Sequence, residues 1–183
     1  MQIESERRKN IILTGFMGTG KTTVGKLLAK QLDHEFVDTD EMIQARQDRT
    51  IPQIFRESGE AAFRQMETEL AQELAHREGL VIATGGRLML DPVNAAALSR
   101  QGQVFCLVAN VEEILRRLTK DKQQLRPLLA GADPGERIVA LLRQREEGYR
   151  LFPQVMTDNK RPMEVVQELM ELIDQAPFGE TAV

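Results

Sequence analysis

At 183 residues with 42% hydrophobic side chains, the chain is long enough for one domain with a real hydrophobic core. A formal net charge of −4 gives no global attraction for polyanions, which argues against a dedicated nucleic-acid binder but leaves room for a local phosphate site. A lone cysteine, Cys106, excludes an internal disulfide, and its place in the apolar run VFCLVA reads as a buried core thiol.

The opening MQIESERRKN is polar and charged, and no run in the chain approaches the ~18 apolar residues of a membrane span. A cytoplasmic location is expected. NIILTG then reads as a β-strand and passes directly into GFMGTGKT, Gly15 to Thr22, which fits G-x-x-x-x-G-K-[ST]. In GKTTVGKLLAKQL, Val24, Leu27, Leu28 and Leu32 form one helical stripe with Lys26, Lys30 and Gln31 largely off it, so a helix is expected from the Lys-Thr onward.

A strand, a glycine-rich loop and a helix in that order are the context the motif requires. Its glycines let backbone N–H groups wrap a phosphate chain, and the helix N-terminus favours anions. Lys21 is expected to bridge the β- and γ-phosphates and the Thr22 hydroxyl to ligate Mg²⁺. Gly15, Gly18, Thr19, Gly20, Lys21, Thr22 and Thr23 form the candidate ATP-binding set; a glycine-rich turn matching by chance is the alternative.

EFVDTDEMI follows, a second β-like run ending in Asp38 and Asp40, which as alternate strand residues would share a face. Neighbouring carboxylates repel, so such a pair suits a site where a metal and a substrate hydroxyl satisfy them. One would join the Mg²⁺ shell and the other accept the hydroxyl proton. Equally, Asp40 could N-cap a helix beginning EMIQ while Asp38 is solvated. In GEAAFRQME, Arg64 and Glu67 lie three apart and could simply pair on a helix. Against that, the apolar neighbours Ala61, Ala62 and Phe63 suit a guanidinium held by Glu67 for an anionic substrate.

TELAQELAHREG is expected to be a helix ended by Gly79. LVIATGG, a third β-like run, breaks into Gly85-Gly86-Arg87, either a turn or the floor of a site, and QVFCLVA is a fourth. Around KDKQQLRPLL and AGADPGE, Arg126 precedes proline and therefore sits in extended or turn chain. That stretch is an ordinary basic surface loop or a lid bringing positive charge to a moving phosphoryl group. PMEVVQELMELIDQ is expected to be an amphipathic helix opened by Pro162, and DQAPFGETAV a short frayed tail. Strand-like runs alternating with helical spacing point to βαβ units and a parallel sheet.

Taken in register from about Asn10 to Ile173, GFMGTGKTTVGKLLA, FVDTDEMI, FRQME, ATGG, RPLL and the Arg-x-x-x-Tyr of REEGY resemble the shikimate kinases. The resemblance implies that Asp38 helps hold Mg²⁺, Asp40 grips the shikimate hydroxyls, Arg64 and Arg145 bind its carboxylate, and Arg126 is the lid arginine over the phosphates. It also implies that Gly85 and Gly86 close on the substrate and offer backbone N–H groups to it. Two positions depart from the family. Arg87 replaces a usual third glycine and is expected to swing to solvent, the alternative being that it crowds the pocket and shifts its anion preference, and TKDKQQLRPLL is slightly longer than the usual lid sequence.

The implied architecture is α/β: a three-layer P-loop nucleoside-kinase-like fold with a central parallel sheet flanked by helices, plus a lid segment. Residues 1–183 are expected to form one domain, with a core at about 10–173, a substrate-binding segment at about 40–70 and a lid at about 119–135. Catalysis is expected from Lys21, Asp40 and Arg126, with ATP and shikimate as small-molecule partners and neither nucleic acid nor membrane; a monomer is expected. The implied reaction is ATP-dependent phosphorylation of the shikimate 3-hydroxyl in aromatic amino-acid biosynthesis. The rival readings are a kinase for another polyol acid of the gluconate type and a non-catalytic nucleotide-binding regulator.

Overall fold

Strand β1 (Asn10–Thr14) is buried along its whole length, and its alternating side chains serve two cores at once. Ile11 and Leu13 point to one side of the sheet and Ile12 to the other. In the computed structural model the described residues are 9–120 and 133–175. Arg126 and most of the expected lid therefore lie outside the described residues, as do positions 1–8 and 176–183.

Chain order continues with α1 (Lys21–Leu32), β2 (Glu35–Asp38), α2 (Thr39–Gln47), α3 (Ile51–Leu74) and β3 (Leu80–Ala83). A 3₁₀ turn (Leu88–Leu90), α4 (Pro92–Ser99), β4 (Gly102–Val108) and α5 (Val111–Lys120) follow, then α6 (Pro134–Tyr149), β5 (Gln154–Met156) and α7 (Pro162–Gln175). The strands pair in the order β2-β3-β1-β4-β5, all parallel. Helices α1 and α7 cover one face through Val24, Leu28, Val165, Val166 and Leu169. The other face carries the larger core, with Ile54, Phe63, Leu70 and Leu74 of α3, Leu98 of α4, Ile114 and Leu118 of α5 and Ile138 of α6. Sheet between two helical layers is the three-layer α/β architecture expected from the sequence.

Some boundaries differ from expectation. The helix expected to end at Gly79 stops at Leu74, because the next turns tighten through His76 N–H to Glu73 O (3.1 Å) and Arg77 N–H to Leu74 O (3.1 Å). It also begins far earlier, at a capping box in which Thr50 and Gln53 satisfy each other's backbone N–H groups. The stretch read as the loop AGADPGE contains the start of α6: Asp133 caps it, its side chain accepting from the N–H groups of Gly135 and Glu136, with Pro134 in the first turn. Three-residue β5 carries too little pattern to be seen in sequence. Among the described residues no helix is long and apolar enough to cross a membrane.

One buried side chain fastens the central strand to the α3–β3 turn. Asn10, 1% exposed, donates from Nδ2 to Arg77 O (2.7 Å) and accepts the Leu80 N–H on Oδ1 (2.9 Å). Asn10→Ala strands both backbone groups and is expected to cost about 1–3 kcal/mol, read as a lower urea midpoint at unchanged m-value. Cys106 lies on β4 with its thiol pushed up to about 12 by burial, against a small opposing effect of the Lys21 charge. A thiol reagent is expected to label it stoichiometrically only after denaturation; rapid labelling of the native protein would contradict this packing.

Candidate active site

The C-terminal ends of β1, β2 and β3 lie side by side, and each delivers one part of the site. After Thr14 the chain turns through Gly15, whose φ of 126° and closeness to the Leu107 carbonyl exclude any side chain. The Thr19 hydroxyl, buried, donates to Phe16 O at 2.8 Å and shapes the loop from within. Gly18 and Gly20 complete the turn, and α1 starts at Lys21, with Thr22 and Thr23 in its first turn. Lys21 Nζ lies over the loop, donating to Gly15 O (2.8 Å) and Phe16 O (2.9 Å). From α5, Arg117 reaches the loop as well, donating from Nη1 to Gly18 O (3.2 Å) and Thr157 Oγ1 (3.0 Å) and from Nη2 to Thr157 O (2.7 Å).

Asp38 joins this loop to the second part. Its Oδ2 accepts from the Thr22 hydroxyl at 2.8 Å, and its Oδ1 accepts the N–H groups of Asp40 (3.0 Å) and Glu41 (3.3 Å). Asp38, not Asp40, is thus the N-cap, and it is not solvated as the alternative reading had it. Strand β2 ends at Asp38, so Asp40 belongs to the first turn of α2 and the two carboxylates do not alternate along one strand. The adjoining hydroxyl and carboxylate at the head of the loop are hard oxygen donors that suit Mg²⁺. Among the described residues no three His, Cys, Asp or Glu gather as a metal cluster.

The third part is the floor after β3. A methyl group at Gly85 would lie 2.6 Å from Asp40 Oδ1 and 3.0 Å from Glu67 Oε1; one at Gly86 would lie 3.3 Å from Arg145 Nη1. Neither glycine has positive φ, so they are present for close approach and not for a turn. The Gly85 N–H donates to the buried Thr39 hydroxyl (2.9 Å), and Gly86 O accepts from the Tyr149 hydroxyl (2.5 Å). Arg87 has φ −120°, with no backbone strain; its side chain lies exposed at the rim, where Nη1 donates to the exposed Glu60 at 3.0 Å.

Charge is closely matched around this floor. Arg64 pairs with buried Glu67 (2.5 Å) and with exposed Glu60 (3.0 Å). Burial works against the Arg64 charge, and the two carboxylates more than offset it, so its pKa lies above the ordinary value. Burial pushes the Glu67 carboxyl up, against the pull of Arg64 and with help from Asp40. Arg145, 8% exposed, rests 5.4 Å from the centroid of Phe16, a cation–π contact that holds it beside the phosphate loop. Burial raises the Tyr149 phenol to about 12, opposed by Arg145, so it stays a donor at neutral pH.

The structure therefore brings together Lys21, Thr22, Asp38, Asp40, Arg64, Gly85, Gly86 and Arg145; Arg126 falls outside the described residues. Sequence reasoning missed Thr39, Glu60, Arg117 and the hydroxyl of Tyr149. Tyr149 follows Arg145 by one helical turn, a signal that was present, whereas nothing local marks Arg117 or Glu60.

A parallel sheet of this order, a G-x-x-x-x-G-K-T loop at the end of its central strand and a glycine floor beside it define a P-loop kinase. The family model for shikimate kinase matches residues 17–174. The chain belongs to the shikimate kinase family. It is 42% identical over 173 residues to a shikimate kinase of Hahella chejuensis, covering 93% of this chain and 89% of that one. A shikimate kinase of Pelotomaculum thermopropionicum is 47% identical over 141 residues, covering 77% and 81%. The solved shikimate kinase of Acinetobacter baumannii in complex with shikimate superposes with a TM-score of 0.87 at 36% identity, covering 98% of this chain and all of that one. A gluconokinase from Sinorhizobium meliloti shares the fold alone, with a TM-score of 0.59 at 13% identity over 91% and 92% of the two chains.

Because the nearest obstacle to a methyl group at Gly85 is the end of the Asp40 side chain, Gly85→Ala is expected to move that carboxylate and leave the fold intact. The expected result is a loss in kcat/KM of up to about 10²-fold with an unchanged melting temperature. Steady-state kinetics beside thermal melts check both halves.

Proposed function

We infer that the chain transfers the γ-phosphoryl group of ATP to the 3-hydroxyl of shikimate, giving shikimate 3-phosphate and ADP. The observation that carries this reading is the convergence of Asp40, the Arg64–Glu67 pair and Arg145 on the Gly85-Gly86 floor, beside the phosphate loop. One carboxylate and two guanidinium groups suit a hydroxy acid, and the shikimate complex of the Acinetobacter baumannii relative supports the choice among such acids.

In this reading the backbone of Gly15, Gly18, Thr19 and Gly20 cradles the phosphates, with Lys21 on the β- and γ-phosphates and Thr23 completing the first helical turn beneath them. Thr22 and Asp38 would hold Mg²⁺, which when bound neutralises charge on the triphosphate. Arg64 and Arg145 orient the acid by its carboxylate, and the bare floor of Gly85 and Gly86 lets it sit against Asp40. Asp40 accepts the 3-hydroxyl proton as the new O–P bond forms and the bond from the γ-phosphorus to the β-phosphate oxygen breaks, releasing ADP. Arg126, from its place before Pro-Leu-Leu, is assigned to the phosphates as a lid arginine, and residues 40–70 to acceptor binding within a single domain. Every residue named comes from one chain, so a monomer suffices, and dependence on ATP fits a cytoplasmic setting.

ADP release from ATP and Mg²⁺ is expected to depend on shikimate, with gluconate and related acids inactive. Asp40→Asn is expected to lower kcat by about 10²–10⁴-fold while the KM for ATP is kept. Turnover by that variant at the parent rate would remove Asp40 from the mechanism, and shikimate-independent turnover would overturn the substrate.

A further inference from the structure

The guanidinium assigned to the acceptor carboxylate is already engaged on both of its edges. Arg64 Nη1 donates to Glu67 at 2.5 Å, while Nε and Nη2 donate to a single oxygen of Glu60 at 3.2 and 3.0 Å. An arriving carboxylate pairs best with two parallel N–H donors, which here means the Nε and Nη2 edge that Glu60 holds. Glu67 cannot yield, since its side chain is only 2% exposed and would be left as a buried unpaired charge. Glu60 can, with a side chain 54% exposed. The same Glu60 oxygen also accepts from Arg87 Nη1 at 3.0 Å.

We propose that Arg87 is a positioning residue for the acceptor: it retains Glu60 when the substrate carboxylate displaces it from Arg64. The inference rests on the reading of the acceptor as an anionic acid held by Arg64. Glu60 stays ionised near neutrality, because its bonds to Arg64 and the charges of Arg64, Arg87 and Arg145 hold its carboxyl below the ordinary range. Displaced, it remains a negative charge at the mouth of a site that is taking in another. With Arg87 present that charge keeps a partner on the rim; with glycine there, its alternatives are to return to Arg64 or to face the substrate uncompensated. As a pair between side chains 47% and 54% exposed, Arg87 and Glu60 add little to stability, so the effect belongs to binding and not to folding.

The test is steady-state kinetics on the full chain, with shikimate varied at saturating ATP and Mg²⁺, for the parent, Arg87→Gly, Arg87→Lys, Glu60→Gln and the Arg87→Gly/Glu60→Gln double variant. Arg87→Gly is expected to raise the KM for shikimate about two- to five-fold, with kcat and the KM for ATP within about two-fold of the parent. Arg87→Lys should restore most of the loss, and in the Glu60→Gln background Arg87→Gly should change nothing further. An unchanged KM in Arg87→Gly, or an equal rise in the Glu60→Gln background, overturns the inference while the parent's activity upholds the substrate. A parent that releases no ADP with shikimate overturns both.

Discussion

The carboxylate of Asp38 is the joint on which the site depends. One oxygen receives the Thr22 hydroxyl at the start of α1, and the other caps α2, so the glycine-rich loop and α2 are positioned by a single side chain at the end of β2. Because β2 pairs in register with β3, with Asp38 opposite Ala83, the same strand end also sets the height of the glycine floor. Thr39 closes the circuit by accepting from Gly85 N–H, leaving Asp40 aimed at the space the floor leaves bare. Orienting three elements by short bonds to rigid strand ends is how a small fold can hold reacting groups to within fractions of an ångström.

Around that joint the charges are arranged in tiers of burial. Glu67 is nearly sealed and fixes Arg64 from below, Arg145 is buried against Phe16, and Glu60 and Arg87 lie at the rim. Depth decides the part each can play: a sealed carboxylate orients, since leaving would cost it a partner in low dielectric, whereas a wetted one can exchange partners. Tyr149 belongs to the sealed tier, with its hydroxyl on the Gly86 carbonyl one helical turn from Arg145.

Much of this was readable from the chain because the readable parts are local. The phosphate loop is a contiguous spacing, α1 and α7 announce themselves by stripes, and the four longer strands are short apolar runs. What escaped is set by distance in sequence. Asp38 and Asp40 fall on different elements because Asp38 caps the helix whose first turn holds Asp40, and Thr39, overlooked between two acids, is buried and bonded to Gly85, more than forty positions away. Helix α3 could not be bounded at its far end, since the side chain of Asn10 draws the turn after it toward β1. The pairing of Glu60 with Arg87 joins residues that only the folded chain makes neighbours.

Helix α3 itself is not one rod. At Gly59 the backbone leaves helical geometry, with φ 81° and ψ 169°, and resumes it at Glu60. In an unbroken helix each residue inserted or removed turns everything beyond it by about 100°. Gly59 interrupts that rotation, so the phase of the segment bearing Arg64 and Glu67 is set by its own contacts with Gly85 and the core, not by the turns before it. The stretch from Ile51 to Ser58 is thereby released from that constraint, and changes of length there need not rotate the Arg64 guanidinium away from Glu67 and the glycine floor.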